Sequence, residues 1–218
     1  MKYALFDCDG TLLDSMAMCV NLATDVLKTY GVDLPRSVER ETASMSHEDA
    51  AQYYADKFLG GKGADELAKK FTETLKHNYG EVLKLKPHVR EILEKLHERG
   101  IVMAVASSTD AYLLELCLQR MGLRDYFQFI QTVDNSGYSK DSDEYFKLAA
   151  EKLGTAPENI LFFDDALYAI ERAKKNGFKV VAVQDDSNDD HDEIIRECGD
   201  HYITDFSQID IDGWFFAE

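Results

Sequence analysis

Residues 2–15 read KYALFDCDGTLLDS, and the pattern in this segment is the first indication of the fold. A short apolar run, Lys2–Asp7, ends in an aspartate, and a second aspartate, Asp9, follows two residues later. A continuous apolar run of this length is typical of a strand that is buried on both faces of a parallel sheet. We therefore expect the chain to begin with a central strand that has carboxylates at its carboxyl end.

The same pattern recurs along the second half of the chain. Short apolar runs predict further strands, and runs with apolar residues three and four positions apart predict helices between them. The strands are predicted at Ile101–Ala106, Phe127–Thr132, Ile160–Phe163 and Lys179–Val183, and the helices at Val89–Arg99, Ala111–Met121, Asp143–Leu153 and Leu167–Asn176. This alternation predicts an α/β fold with a doubly wound, Rossmann-like parallel sheet.

One long interval interrupts the alternation. Between about Ser15 and Leu83 only helical patterns occur, at Ala17–Tyr30, Glu48–Phe58 and Glu66–Tyr79. We expect an inserted all-helical cap domain at residues 15–84 and a core domain at residues 1–14 and 85–218. Ligands of open α/β sheets bind at the carboxyl ends of the strands, so an insertion after the first strand is expected to act as a lid.

Composition and charge exclude several classes of function. The net charge of −17 argues against nucleic acid and anionic membranes as partners, because both are bound by lysine and arginine patches. The run Asp185–Glu193 is strongly acidic and predicts a solvated loop and the start of a helix. The first apolar run is too short for a signal peptide and no run could span a membrane, so we expect a cytoplasmic protein, and a monomer by default.

Four carboxylates follow two of the predicted strands. Asp7 and Asp9 follow the first strand, and Asp164 and Asp165 follow Ile160–Phe163. If these strands are neighbours, the carboxylates converge, and each pair of like charges about 4 Å apart repels by about 4 kcal/mol at an effective dielectric near 20. Such a cluster requires a cation, and an all-oxygen donor set favours Mg²⁺ over Zn²⁺.

These residues carry a resemblance to a known family. The motif D-x-D-G-T-L-x-D-S at residues 7–15 resembles the first motif of the haloacid dehalogenase superfamily of phosphohydrolases. Ser107, Lys140 and the pair Asp164–Asp165 resemble its later motifs and follow in the same order. The helical insertion resembles the cap of the sugar-phosphatase and β-phosphoglucomutase branch. The resemblance implies a phosphatase that acts on a small phosphorylated metabolite with Mg²⁺ as cofactor.

The resemblance also implies roles around the first motif. Asp7 would be the nucleophile and a metal ligand, and Asp9 would be the general acid and base. The backbone carbonyl of Asp9, rather than its side chain, would bind Mg²⁺. Gly10 would allow the phosphate to approach the backbone, and Cys8 would offer its backbone N–H there rather than its thiol.

The later motifs supply the remaining predicted site residues. Ser107 would hydrogen-bond a phosphoryl oxygen, with the neighbouring Ser108 also assigned to substrate binding. Lys140 would balance the charge of the nucleophile and of the phosphate. Asp165 would be the direct metal ligand, with Asp164 in a second or water-mediated position.

Three functions are compatible with this predicted fold. Mutases of the same branch carry a histidine early in the cap and an arginine that grips a second phosphate, where this chain has Cys19 and His47. This difference favours hydrolysis, with a β-phosphoglucomutase-like phosphomutase as the alternative and a non-catalytic binding or regulatory protein as the third possibility. His47 is a candidate for substrate contact, and a helix-capping or solvent-facing histidine is an equal alternative.

Overall fold

A computed structural model of the chain describes residues 2–35, residue 38 and residues 47–216, without the side chains of His47 and Asp189. Contacts divide the chain into two compact units, Met1–Ser15 with Leu83–Glu218, and Met16–Val82. No helix among the described residues is long and apolar enough to cross a membrane. The assignment of these stretches to a core domain and a cap domain stays a prediction.

The first unit is built on one parallel sheet of six strands in the order β3-β2-β1-β4-β5-β6. The strands are β1 (Tyr3–Phe6), β2 (Val102–Ser107), β3 (Phe127–Thr132), β4 (Ile160–Asp164), β5 (Lys179–Val183) and β6 (His201–Ile203). The four central strands are almost wholly buried because helices cover both faces of a doubly wound sheet. Every adjacent pair is parallel, so all six strands end at the same edge.

The described residues of the second unit form helices joined by turns and irregular segments, without a strand. It contains α1 (Met16–Lys28), α2 (His47–Phe58) and α3 (Ala64–His77), followed by a π-helical turn at Asn78–Val82. Its core lies between the three helices and includes the buried side chains of Leu27, Tyr54 and Phe71. The rings of Tyr54 and Phe71 meet edge to face, with centroids 6.1 Å apart. This small core lets the unit bury its own apolar faces.

The described residues of the first unit form six α-helices: α4 (Val89–Glu98), α5 (Ala111–Arg120), α6 (Val133–Ser136), α7 (Asp143–Leu153), α8 (Leu167–Lys175) and α9 (Asp192–Cys198). Local sequence explains the ends of α7. The Ser142 hydroxyl accepts a hydrogen bond from the Tyr145 N–H, and Gly154 ends the helix in the left-handed conformation with φ of 69°. Short 3₁₀ helices precede β3 and β4 and also occur at Asp186–His191 and Phe206–Gln208, and a π-helical segment spans Asp212–Phe216.

The predicted fold class is confirmed. The structure has the doubly wound parallel sheet and the inserted helical segment, and the predicted bounds of β3, β5 and α7 agree with the observed ones. The edge strand β6 was not predicted from the sequence.

Candidate active site

Three of the residues predicted to form the active site lie at the carboxyl ends of three neighbouring strands, at one edge of the sheet. Strand β1 lies between β2 and β4. Asp7 directly follows β1 and continues its pairing, because its N–H donates to the Phe163 carbonyl at 2.8 Å. Ser107 is the last residue of β2, and Asp164 is the last residue of β4. Asp7 is therefore flanked by polar residues from both neighbouring strands.

Three carboxylates form a buried cluster at this edge. Carboxylate oxygens of Asp7, Asp164 and Asp165 all lie within 4.8 Å of one another, and none of the three residues is more than 5% exposed. Lys140, which is 3% exposed, donates a hydrogen bond to Asp7 and pairs with Asp164 at 2.7 Å. One buried cation thus faces three buried carboxylates, and its single charge cannot neutralise all of them.

The pKa values of the cluster reflect this imbalance. Burial raises the pKa of Asp7 well above its usual value, and Lys140 opposes this shift. Burial, followed by the charge of Asp164, raises the pKa of Asp165 to about 7. Burial disfavours the charge of Lys140, but Asp164 and Asp7 outweigh it and raise the lysine pKa well above its usual value. The site therefore holds a charged lysine and favours additional positive charge.

The donor set and its surroundings fit a divalent metal ion. All three groups of the cluster offer oxygen, which is the donor that Mg²⁺ prefers. The backbone at Gly10, in the left-handed region with φ of 78°, lies so close to Asp165 that a β-carbon there would be 2.5 Å from its carboxylate. The Asp9 carboxylate is not part of the cluster and instead accepts a hydrogen bond from the Thr109 hydroxyl at 2.7 Å.

Of the residues predicted to bind phosphate, Ser107 and Ser108 lie at the carboxyl end of β2, next to β1, and Cys8 directly follows Asp7. Ser107 is buried, and its hydroxyl accepts a hydrogen bond from the Thr109 N–H at 3.2 Å. Ser108 is exposed, and its hydroxyl lies 3.4 Å from that of Tyr168. Cys8 is buried, and burial, followed by the charges of Asp9 and Asp7, raises the pKa of its thiol well above the usual value. Its thiol is therefore uncharged, in keeping with a backbone role for this residue.

His47 is the first residue of α2, but its side chain lies outside the described part of the chain. The prediction that it contacts substrate stays a prediction. The roles of Asp7, Asp9, Ser107, Lys140 and the metal ligands rest on chemistry and resemblance, so they too stay predictions.

Three side chains around the carboxylates were missed by the sequence reasoning. Thr109 binds Asp9, Thr11 donates to Asp165 Oδ1 at 3.2 Å, and the Asn188 amide donates to Asp165 Oδ2 at 2.8 Å. Thr11 and Thr109 lie within two residues of Asp9 and Ser107, so proximity to a motif was an available signal. Asn188 lies in the acidic run, and no local pattern distinguishes it.

Comparison with known proteins places these residues in a family. The model of the haloacid dehalogenase-like hydrolases matches residues 4–183, a span that includes all of the cluster. The phosphorylated carbohydrates phosphatase of Thermotoga maritima is 26% identical over 82% of this chain and 83% of its own length. Hexitol phosphatase B of Escherichia coli K12 is 26% identical over 83% of this chain and 82% of its own length.

Solved structures show the same fold. CbbY from Rhodobacter sphaeroides, in complex with xylulose-(1,5)-bisphosphate, superimposes with a TM-score of 0.78 over 96% of each chain, at 20% identity. At this identity the likeness concerns the fold alone.

Proposed function

The chain belongs to the haloacid dehalogenase-like hydrolases, and from that premise we propose that this phosphatase hydrolyses a small phosphorylated carbohydrate through a phosphoryl group carried on Asp7. The observation that carries the proposal is the position of Lys140. Its ammonium group bridges Asp7, at the end of β1, and Asp164, at the end of β4, in a buried site. A nucleophilic carboxylate must be ionised, and this lysine favours the ionised form of Asp7.

In the first step an Asp7 oxygen attacks phosphorus and the ester oxygen leaves. The leaving oxygen takes a proton from Asp9, whose carboxyl group is held by Thr109. The products of this step are the free alcohol and an aspartyl phosphate. Lys140 and the Ser107 hydroxyl are assigned to the phosphoryl oxygens, where positive charge and hydrogen-bond donors stabilise the transition state.

In the second step water attacks the phosphorus of the aspartyl phosphate. Asp9, now ionised, accepts the proton of that water, and inorganic phosphate and free Asp7 are released. Two moderate barriers thus replace one high barrier, which is the usual gain from a covalent intermediate. The overall reaction consumes one water for each ester that is hydrolysed.

The metal ligands proposed are Asp7, Asp165, the backbone carbonyl of Asp9, and Asp164 directly or through water. Mg²⁺ bound there would offset the negative charge that the buried carboxylates and the phosphoryl group bring together. The chain's own contribution is to hold these oxygens in place, as the contacts of Asp165 with Thr11 and Asn188 illustrate.

Phosphorylated carbohydrates are the favoured substrate class because the two relatives described above are named for phosphorylated carbohydrates and hexitols. Both are named as phosphatases, which favours hydrolysis over phosphoryl transfer between two positions of a sugar. A phosphomutase or a non-catalytic protein would each give a distinct result in the following experiment.

The test is an assay of purified protein on p-nitrophenyl phosphate and a panel of hexose, pentose and hexitol phosphates, with Mg²⁺ or with EDTA. Asp7→Asn keeps the size of the nucleophile and removes its charge. Asp125→Asn makes the same chemical change at an exposed residue and serves as the control. We expect phosphate release that needs Mg²⁺, disappears in Asp7→Asn and persists in Asp125→Asn.

Three results would contradict the proposal. Phosphate release by Asp7→Asn at the wild-type rate would exclude Asp7 as the nucleophile. Interconversion of sugar monophosphates without release of phosphate would identify a mutase. If folded protein binds Mg²⁺ but transforms none of these compounds, the non-catalytic alternative is favoured.

A further inference from the structure

The carboxylate of Asp165 is held by two polar side chains, Thr11 and Asn188. Thr11 donates to one oxygen at 3.2 Å, and Asn188 donates to the other at 2.8 Å. Asp165 is only 3% exposed. An ionised carboxylate can accept about four hydrogen bonds or ligand bonds, so both oxygens keep free lone pairs after these contacts. The carboxylate is thus oriented without being saturated.

Asn188 holds both the side chain and the main chain of Asp165. Its amide nitrogen lies 2.8 Å from Oδ2 and 3.2 Å from the backbone carbonyl oxygen of Asp165. Both partners are acceptors, so the nitrogen of the amide and not its oxygen must face them. The two hydrogens of that nitrogen suffice for both hydrogen bonds. Because asparagine is neutral, it fixes the carboxylate without neutralising the charge that a metal ion would bind.

The segment that carries Asn188 is itself anchored. Asp185 accepts hydrogen bonds from the N–H and the hydroxyl of Ser187, which closes a turn just before Asn188. Lys86 pairs with Asp185 at 2.8 Å and donates to the Gln184 carbonyl at 2.8 Å. The side chains of this pair are only 14% and 9% exposed, so solvent screens their attraction weakly.

Lys86 joins this segment to the first motif. Its backbone N–H donates to the Leu12 carbonyl at 2.9 Å, and the neighbouring Leu85 forms a bridge with Leu13. Thr11 and Asn188 therefore approach Asp165 from two loops that Lys86 links.

We propose that Asn188 is a positioning residue that orients the Asp165 carboxylate for a divalent metal ion, and that Lys86 acts through it by holding the segment 184–188. The inference rests on the metal site of the proposed function. In the absence of metal the charge of Asp164 repels Asp165, and the donor on Asn188 opposes that displacement. Loss of a hydrogen-bond partner of a metal ligand typically weakens metal affinity about 10–100-fold.

The experiment measures Mg²⁺ binding to purified protein by titration calorimetry. Asn188→Ala removes the amide, and Asn188→Leu removes the donors but keeps a similar size. Asn159→Ala deletes an exposed asparagine amide that donates to the Thr155 hydroxyl at 3.3 Å, and serves as the control. We expect the Kd for Mg²⁺ to rise about 10–100-fold in both Asn188 variants and to stay unchanged in Asn159→Ala.

A second readout separates positioning from a general loss of structure. The thermal midpoint of the metal-free protein should change little in the Asn188 variants, and activity should recover at saturating Mg²⁺. Lys86→Met should raise the Kd in the wild-type background and add nothing in the Asn188→Ala background. If the two substitutions raise the Kd additively in the double variant, the proposal that Lys86 acts through Asn188 is contradicted.

The failures of the two proposals can be told apart. Asn188 variants that bind Mg²⁺ as tightly as the wild type overturn this inference and leave the proposed function untouched. A wild-type protein that binds no Mg²⁺ overturns both the metal site and this inference. If the wild type binds Mg²⁺ but hydrolyses no ester, the calorimetry still decides whether Asn188 positions the metal ligand.

Discussion

Replacement of Gly10 by alanine combines a backbone cost with a collision in the proposed metal site. Gly10 has φ of +78°, and a β-carbon there would lie 2.5, 2.6 and 2.8 Å from three atoms of the Asp165 carboxyl group. Gly100 has φ of +73°, and a β-carbon there would meet nothing within 4 Å. Gly100→Ala is therefore a matched control that has the same backbone cost without the collision.

The two costs can be separated in magnitude. A left-handed backbone costs an alanine about 1–2 kcal/mol, which corresponds to a fall of roughly 2–8 °C in the thermal midpoint of a chain of this size. In Gly10→Ala the Asp165 carboxylate must also move away from the new β-carbon, by about 0.9 Å, to reach an ordinary contact distance of 3.4 Å. Gly100→Ala requires no such movement. Overpacking of this kind adds roughly 1–3 kcal/mol. A displacement near 1 Å in a catalytic site can reduce the rate about 100-fold.

The assay compares both variants with the wild type in thermal unfolding without metal and in kcat with Mg²⁺. We expect a moderate loss of stability and normal kcat in Gly100→Ala, and a larger loss of stability with about 100-fold lower kcat in Gly10→Ala. A folded Gly10→Ala enzyme whose kcat equals that of Gly100→Ala would refute the proposal that Asp165 must stay in its observed position.

Two further predictions concern other side chains. Thr109→Val removes the hydrogen bond that holds Asp9, the proposed proton donor and acceptor, at 2.7 Å. General acid and base catalysis contributes about 100–10,000-fold, so a misoriented Asp9 should lower kcat at least about 10-fold with KM unchanged. An unchanged kcat would exclude a role for Thr109. Hydrogen bonds from Arg172 and Lys175 hold the pKa of Asp143 well below its usual value. The ionised Asp143 carboxylate therefore stabilises the folded protein above about pH 4, and this stabilisation is lost at lower pH. Asp143→Asn should therefore lower the thermal midpoint at pH 7, and the difference from the wild type should narrow below pH ~4; a difference independent of pH would contradict this.

The strands could be predicted because burial on both faces leaves a continuous apolar run. The central strand Lys179–Val183 agrees with its predicted bounds, and so does Phe127–Thr132, an edge strand in which four of six residues are buried. The edge strand His201–Ile203 was missed because it has three residues and two of them are only half-buried, so it lacks the apolar run that identifies a central strand.

The convergence of Asp7, Asp164 and Asp165 also followed from the sequence, because the ends of adjacent parallel strands meet at one edge. The fourth predicted carboxylate, Asp9, is not part of the cluster and is held by Thr109. The groups that orient these aspartates could not be predicted from the sequence. The contact between Thr109 and Asp9 spans 100 residues, and the contact between Asn188 and Asp165 depends on the conformation of a loop. The acidic run at residues 185–193 predicts a solvated loop, but the Asp185 side chain is largely buried against Lys86. Composition alone could not identify that pairing.

The central claim is that Asp7 carries the phosphoryl group, and chemical trapping tests it most directly. Borohydride reduces an aspartyl phosphate to homoserine, which mass spectrometry locates in the sequence. The enzyme to trap is Asp9→Asn with p-nitrophenyl phosphate, because this leaving group needs no proton from residue 9 whereas hydrolysis of the intermediate needs the missing base. We predict homoserine at position 7, formed only when substrate is present. Release of p-nitrophenol with no modification at position 7, or with modification of another residue, would contradict the proposed mechanism.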